Sequence, residues 1–178
     1  FEDITQPEVF FNQKPGSRTC TLCSVTMMLR RVDILNGGQN WQSITEEAVK
    51  PVAWNNGLSN NFWYGGYHVV NKQLAESPSN KVQLLALLDK HPEGVVIYDR
   101  ATPHAILLTD YTDGVFYCAD PASGNKAGRM PISGAYRVTI ENADSYWYVV
   151  ASSASGSGTQ TVLATQPRPK PTPSCLPD

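Results

Sequence analysis

The sequence predicts an α+β domain, with helices at the N-terminal side packed against an antiparallel sheet drawn from the C-terminal side. Three observations lead there. Apolar residues follow Cys20 at helical spacing, with Cys23, Met27 and Met28 on one side. From Gly94 onward the period of the apolar residues changes to two. Two of the later apolar runs are joined by Thr112-Asp113-Gly114, a turn signal between antiparallel strands.

Taken in order, the first helix can be capped by Ser17 or Thr19 and runs to about Arg31. The aromatic stretch from Ser59 to Leu74 is amphipathic and is expected as a second helix, with Gly65-Gly66 as its weak point. Asn80 and Gln83 have the spacing of a capping box ahead of a short helix over residues 82–88. His91-Pro92 ends it, because a residue before proline leaves the helical region. Strands are expected over residues 94–99, 104–110, 115–120 and 145–151. Residues 1–151 therefore read as one domain. Beyond them Ser152-Ser153-Ala154-Ser155-Gly156-Ser157-Gly158 is a flexible sequence, and Pro167, Pro169, Pro171 and Pro173 favour an extended chain. Residues 152–178 are read as a linker or tail, with an added edge strand at Thr161-Val162-Leu163 as the competing reading.

Composition narrows the function. Of 178 residues, 41% are hydrophobic and 17% charged, so the chain can bury a core. A net charge of -2 with no basic cluster beyond Arg30-Arg31 argues against nucleic acid as a partner. No apolar run reaches the roughly 20 residues of a membrane span. The chain is expected to act as a monomer, and its tail suits a module of a longer chain. It begins at Phe1, as expected of a processed product or an excised piece, so the missing signal peptide carries no information. Plentiful Asn, Ser, Thr and Tyr lean towards an extracellular or cell-surface protein. Four cysteines are too few for a disulfide scaffold of this length; if Cys20 stays a free thiol, at most one bridge can form among Cys23, Cys118 and Cys175.

The chemistry begins with three histidines. His91 lies at a helix end, where the dipole accounts for it. His68, in the aromatic stretch, is expected to be packed or on the surface. His104 opens a strand of small and aliphatic residues, Ala105-Ile106-Leu107-Leu108. The turn near residue 112 brings Asp120 back as an opposite or diagonal neighbour of His104, where a carboxylate can hold an imidazole tautomer. A bulge would reverse the side-chain parity. Cys20, at the tip of the first helix, has the environment that stabilises a thiolate, whereas Cys23 lies a turn deeper and is expected to face the core. For an oxyanion, the Cys20 N–H and the Gln13 side chain are the candidate donors, with Asn12 competing for the role of Gln13. A lining for a substrate groove is expected from Trp54 to Tyr67 and from the loop at Asp99–Pro103, although Phe62, Trp63, Tyr64 and Tyr67 equally suit a core.

Gln13, then Cys20 opening a helix with Ser24, Met27 and Leu29, resembles the start of papain-like cysteine peptidases of the bacteriocin-processing type. Their nucleophile opens a helix reading roughly Cys-Gly-Pro-x-Ser-x-x-Met-x-Leu. His104, the apolar strand, the Asp-Gly turn and Asp120-Pro121 resemble the second motif of that family. The resemblance covers residues 6 to 150 approximately and is closest to stand-alone bacterial relatives. Thr21-Leu22 stands where Gly-Pro is usual, and the stretch from Gln13 to Cys20 is one residue longer than is common. The resemblance implies a papain-like fold, the nucleophile helix packed on the antiparallel sheet, and a Cys20-His104-Asp120 triad with Gln13 in the oxyanion hole. It implies hydrolysis of a peptide or isopeptide bond in a peptide or protein substrate, with no cofactor and no metal. Double-glycine leader peptides are not carried over as substrate.

Rival readings use the same residues. Cys20-Thr21-Leu22-Cys23 is also a Cys-x-x-Cys motif, although a loop rather than a strand precedes it. Structural zinc could take Cys20 and Cys23 with Cys118 and His104. A transglutaminase or cell-wall amidase would share the thiol chemistry as far as the thioester. A papain-like domain kept as a non-catalytic binding module of a larger secreted protein is the remaining reading.

Overall fold

The computed structural model describes residues 4–151 together with Cys175. Three α-helices and seven strands are present among them: α1 (Cys20–Leu35), α2 (Glu46–Ala53), β1 (Asn61–Tyr64), β2 (Tyr67–Gln73), α3 (Asn80–Lys90), β3 (Val95–Asp99), β4 (His104–Thr112), β5 (Val115–Ala119), β6 (Arg129–Pro131) and β7 (Ser145–Ala151). The strands form one sheet in the order β1-β2-β7-β3-β4-β5-β6, and every neighbouring pair is antiparallel. The α+β class therefore holds. The separation into helices first and strands later does not, because β1 and β2 precede α3 and belong to the same sheet.

That difference comes from Ser59–Leu74, which is a hairpin and not a helix. Tyr64 pairs with Tyr67 across Gly65-Gly66, and Gly65 takes a φ of 55° that few other residues tolerate. Phe62, Tyr67 and Val69 are buried, while Trp63 and His68 are half-buried, the alternation of a strand pair. The aromatic and β-branched residues suit this pleated surface better than a helix. α2 follows Thr45, whose hydroxyl accepts the Ala48 N–H at 3.2 Å, and Glu46 and Glu47 occupy its first turn, where negative charge is favoured. The cap of α3 is Ser79, not Asn80. Gln83 bonds back to Ala75 and Pro78, and Asn80 donates to the carbonyls of Ile140, Glu141 and Ala143, tying the helix to the segment before β7.

The sheet is covered on both faces. β3 reads Val95-Val96-Ile97-Tyr98-Asp99 and is buried at every position, as expected of a strand with no solvent face. Val96 and Tyr98 join Ala105, Leu107, Ala119 and Trp147 beneath α1. Val95 and Ile97 join Ile106, Leu108, Phe116 and Cys118 on the opposite face, with Leu84 of α3 and with Val138 and Ile140. α1 is buried on nearly all sides from Cys20 to Leu29 and runs to Leu35, further than Arg31. Each fully buried leucine contributes about 2 kcal/mol relative to exposure, so α1 is among the most strongly fixed elements. Among the described residues no helix is long and apolar enough to cross a membrane. Apart from Cys175, the expected tail of residues 152–178 and its competing strand at 161–163 lie outside the described residues.

Candidate functional site

β4 and β5 bring His104 and Asp120 together. The Nε2 of His104 lies 2.8 Å from Oδ1 of Asp120, and both side chains are buried. Asp120 follows β5 directly, and its two oxygens accept three further hydrogen bonds. Oδ1 takes the Ala122 N–H at 3.0 Å, while Oδ2 takes the Asn125 side-chain amide at 2.7 Å and the Tyr136 N–H at 2.6 Å. Burial pushes the Asp120 carboxyl pKa up. The hydrogen bond and charge of His104 and the backbone donors of Ala122 and Tyr136 outweigh that and hold it below the usual carboxylate range. The Tyr136 ring stands edge-on to the imidazole, 5.4 Å between centroids. With Nε2 committed to a carboxylate, Nδ1 is the nitrogen left for proton transfer.

Sequence reasoning missed Ala122, Asn125 and Tyr136 as partners of Asp120. The Ala122 contact was legible, since an aspartate that accepts the N–H two residues on is an Asx turn. The other two partners come from irregular segments on either side of β6, and no local signal marks them.

Cys20 is the first residue of α1, as expected, and Thr19 is the N-cap. The Thr19 hydroxyl is not used as a cap; it meets Ser17 Oγ at 2.9 Å and donates to Glu46 Oε1 at 3.3 Å. Cys20 shares the apolar cluster beneath α1 with Ala105 and Ala119, at the end of the sheet where the dyad lies, while His104 alternates to the other face of β4, that of Ile106 and Leu108. The segment entering α1 is anchored beside the dyad as well: the Gln13 N–H donates to the Pro121 carbonyl at 2.8 Å, and the Gln13 side chain is buried. The Asn12 amide donates to the Asn125 carbonyl. Asn12 therefore braces the loop that holds Asp120, which separates its role from that of Gln13.

One expectation is overturned. Cys20 is not a free thiol; it is bonded to Cys175, with 5.8 Å between the two Cα atoms. Both cysteines are buried, and the Cys175 N–H donates to the Arg18 carbonyl at 3.3 Å. The pairing uses the cysteine that a helix N-terminus makes most reactive in exchange. Cys23 and Cys118 are the free cysteines and both are buried. Burial, then the charge and hydrogen bond of Glu46, pushes the Cys23 thiol well up, and its sulfur contacts the Phe11 carbonyl at 3.4 Å. Burial, with the Asp120 charge, pushes Cys118 up to about 12. Both surroundings favour the neutral thiol over the thiolate.

These pairings also bear on the rival uses of the motif. Cys20 takes Cys175 and not Cys23, so the Cys-x-x-Cys pair is not a disulfide here. Among the described residues no three His, Cys, Asp or Glu side chains gather as a metal site requires, so the grouping of Cys20, Cys23, Cys118 and His104 does not form. His68 stacks on Trp63 at 4.8 Å and meets Asn61 Oδ1 at 2.7 Å. His91 caps α3 and lies 3.4 Å from Glu93. Of the suggested groove residues, Phe62 and Tyr67 are buried, and the Tyr67 hydroxyl donates to Asp33. Asp99 folds its own loop, accepting the Ala101 N–H and the Thr102 hydroxyl.

No protein-family model, no curated protein and no solved structure matches this chain.

Proposed function

We propose that the chain is a papain-like cysteine peptidase in which Cys20, once free, is the nucleophile, His104 the general base and Asp120 the group that orients the imidazole. The observation that carries the reading is the buried His104–Asp120 hydrogen bond at 2.8 Å, with the carboxylate saturated by donors on its other sides. Such a carboxylate fixes the tautomer and stabilises the imidazolium that forms during proton transfer. The thiol at the first turn of α1 adds the second half of the machinery, because its thiolate gains from the helix N-terminus.

In the proposed reaction His104 removes the Cys20 proton and the thiolate attacks the carbonyl carbon of a peptide or isopeptide bond. The Cys20 N–H and the Gln13 amide stabilise the oxyanion. His104 then protonates the leaving amine. Water, with its proton passed to His104, cleaves the thioester and restores the thiol. Transfer of the acyl group to another acceptor would share every step as far as the thioester. An extracellular location accords with the disulfide, which persists in oxidising compartments.

The same disulfide favours a second reading, a papain-like binding module in which the sulfur of Cys20 serves only as a staple. The two are separated with reduced protein and a proteome-derived peptide library. Under the first reading wild type cleaves a defined subset of bonds, Cys20→Ala cleaves none, and Cys175→Ser cleaves like reduced wild type. Turnover retained in Cys20→Ala would sink it.

A further inference from the structure

We infer that the Cys20–Cys175 bridge is a redox latch, which keeps the site silent until a thiol reductant opens it. This regulation rests on the peptidase reading above. A sulfur already joined to another sulfur cannot attack a carbonyl, so the bonded state is inactive by its chemistry.

Both cysteines lie in the apolar cluster beneath α1, and three features argue that the bridge is nonetheless a latch. Its partner comes from far along the chain, 155 residues from Cys20 and C-terminal to β7. The domain is closed without it: β7 already pairs with both β2 and β3, and α1 is packed between the sheet and the residues around Trp41 and α2. The choice of cysteine is also selective. Cys23 is just as buried and lies on the same helix and in the same cluster, yet the bridge takes the cysteine at the helix tip; Cys118 packs on the opposite face of the sheet. That position makes Cys20 the better leaving group in exchange, since its thiolate is stabilised by the helix N-terminus.

Opening the latch balances as ordinary thiol–disulfide exchange. Once local opening exposes the buried sulfur of Cys175, a thiolate of a small dithiol attacks it, the Cys20–Cys175 bond breaks, and Cys20 departs as a thiolate. The second thiolate of the reductant then displaces Cys175, which takes up a proton. The reductant supplies both electrons and ends as its own disulfide.

The experiment uses the whole chain, native and oxidised, with iodoacetamide labelling of each cysteine followed by mass spectrometry, and circular dichroism before and after dithiothreitol. Cys20 of wild type should stay unlabelled until dithiothreitol is added, then label at least about 10-fold faster than Cys23 and Cys118. Cys175→Ser should label at that fast rate with no reductant. If oxidised wild type labels at Cys20 as fast as Cys175→Ser does, there is no latch, and the peptidase reading is untouched. If the bridge forms but Cys20 of Cys175→Ser alkylates no faster than an unfolded thiol, the latch guards nothing and the peptidase reading falls with it. Loss of the native spectrum on reduction of wild type would likewise overturn the latch, by making the bridge a structural staple.

Discussion

His104 and Asp120 meet across the β4–β5 pair only because Thr109 is an extra residue in β4. The turn itself sets Thr112 opposite Val115, Tyr111 opposite Phe116 and Asp110 opposite Tyr117. Continued unchanged, that register would place Asp120 opposite Leu107, with its carboxylate on the face away from His104. The register instead shifts between Leu108 and Asp110, so that Leu108 faces Cys118 and Leu107 faces Ala119. Asp120 then falls opposite Ile106, one diagonal step from His104 and on the same face. A bulge thus creates the parity that the dyad needs.

Removing Thr109 tests this relationship. The bulge is held by Asp110, which accepts the Thr109 hydroxyl at 2.7 Å and a two-pronged contact from Arg129 at 2.8 and 2.7 Å. In a Cys175→Ser background, deletion of Thr109 should slow alkylation of Cys20 by about 10-fold or more, because the imidazole loses its carboxylate. Conservative replacement by serine keeps the extra residue and should leave the rate within about two-fold of the parent. Equal rates for the deletion and its parent would show that the dyad does not depend on the bulge.

Asp120→Asn separates positioning from folding. The neutral amide keeps the size of the carboxylate but turns an NH2 towards one of the N–H donors at Ala122, Asn125 or Tyr136. An unsatisfied buried donor costs about 1–3 kcal/mol, which denaturant unfolding would register. If the peptidase reading holds, turnover falls by about 10³–10⁴-fold while Cys20→Ala abolishes it. A variant that loses stability but keeps its turnover would assign Asp120 a structural role only.

Much of this site was legible in the sequence because it depends on local signals. The helix after Cys20, the strand of small apolar residues after His104 and the Asp113-Gly114 turn each announce themselves, and Asp113 and Gly114 do take positive φ. The diagonal approach of Asp120 followed from the turn, but the register was offset and the bulge that compensates for it has no sequence signature. Ser59–Leu74 went astray for a physical reason: its aromatic residues fit either period, and Gly65-Gly66 decided for a hairpin. α2 was overlooked although Thr45-Glu46-Glu47 is a fair helix start, since Pro51 interrupts the pattern. The pairing of Cys20 with Cys175 was out of reach, because connectivity among four cysteines is not a local property.

Acid should destabilise the domain in a defined window. Burial raises the Asp110 pKa, but the hydrogen bonds of Arg129, Thr112 and Thr109 bring it far below its ordinary 3.8, and Asp120 is also lowered. The native state therefore binds fewer protons than the unfolded chain. The resulting stability is fully present above the ordinary carboxylate value and is lost as pH falls through it towards the folded pKa. Asp110→Asn should be less stable than wild type at about pH 6, and the gap should close towards about pH 2. Urea midpoints measured across that range check it, and a gap that stays constant with pH would contradict the assigned ion pair.

Gln13→Ala provides the sharpest test of the oxyanion assignment. The substitution leaves the backbone anchor intact, because it is the Gln13 N–H that holds the Pro121 carbonyl at 2.8 Å. The fold and the approach of the chain to α1 should therefore survive. A donor that acts only on the developing oxyanion contributes to kcat and hardly to KM, so kcat should fall by about 10²–10³-fold with KM nearly unchanged. Asn12→Ala offers the contrast. Its amide serves the Asn125 carbonyl and hence the loop around Asp120, so it should lower stability and should cost less in kcat than Gln13→Ala. If the two variants exchange these signatures, the oxyanion donor is Asn12, and Gln13 is left as packing between α1 and the loop after Asp120.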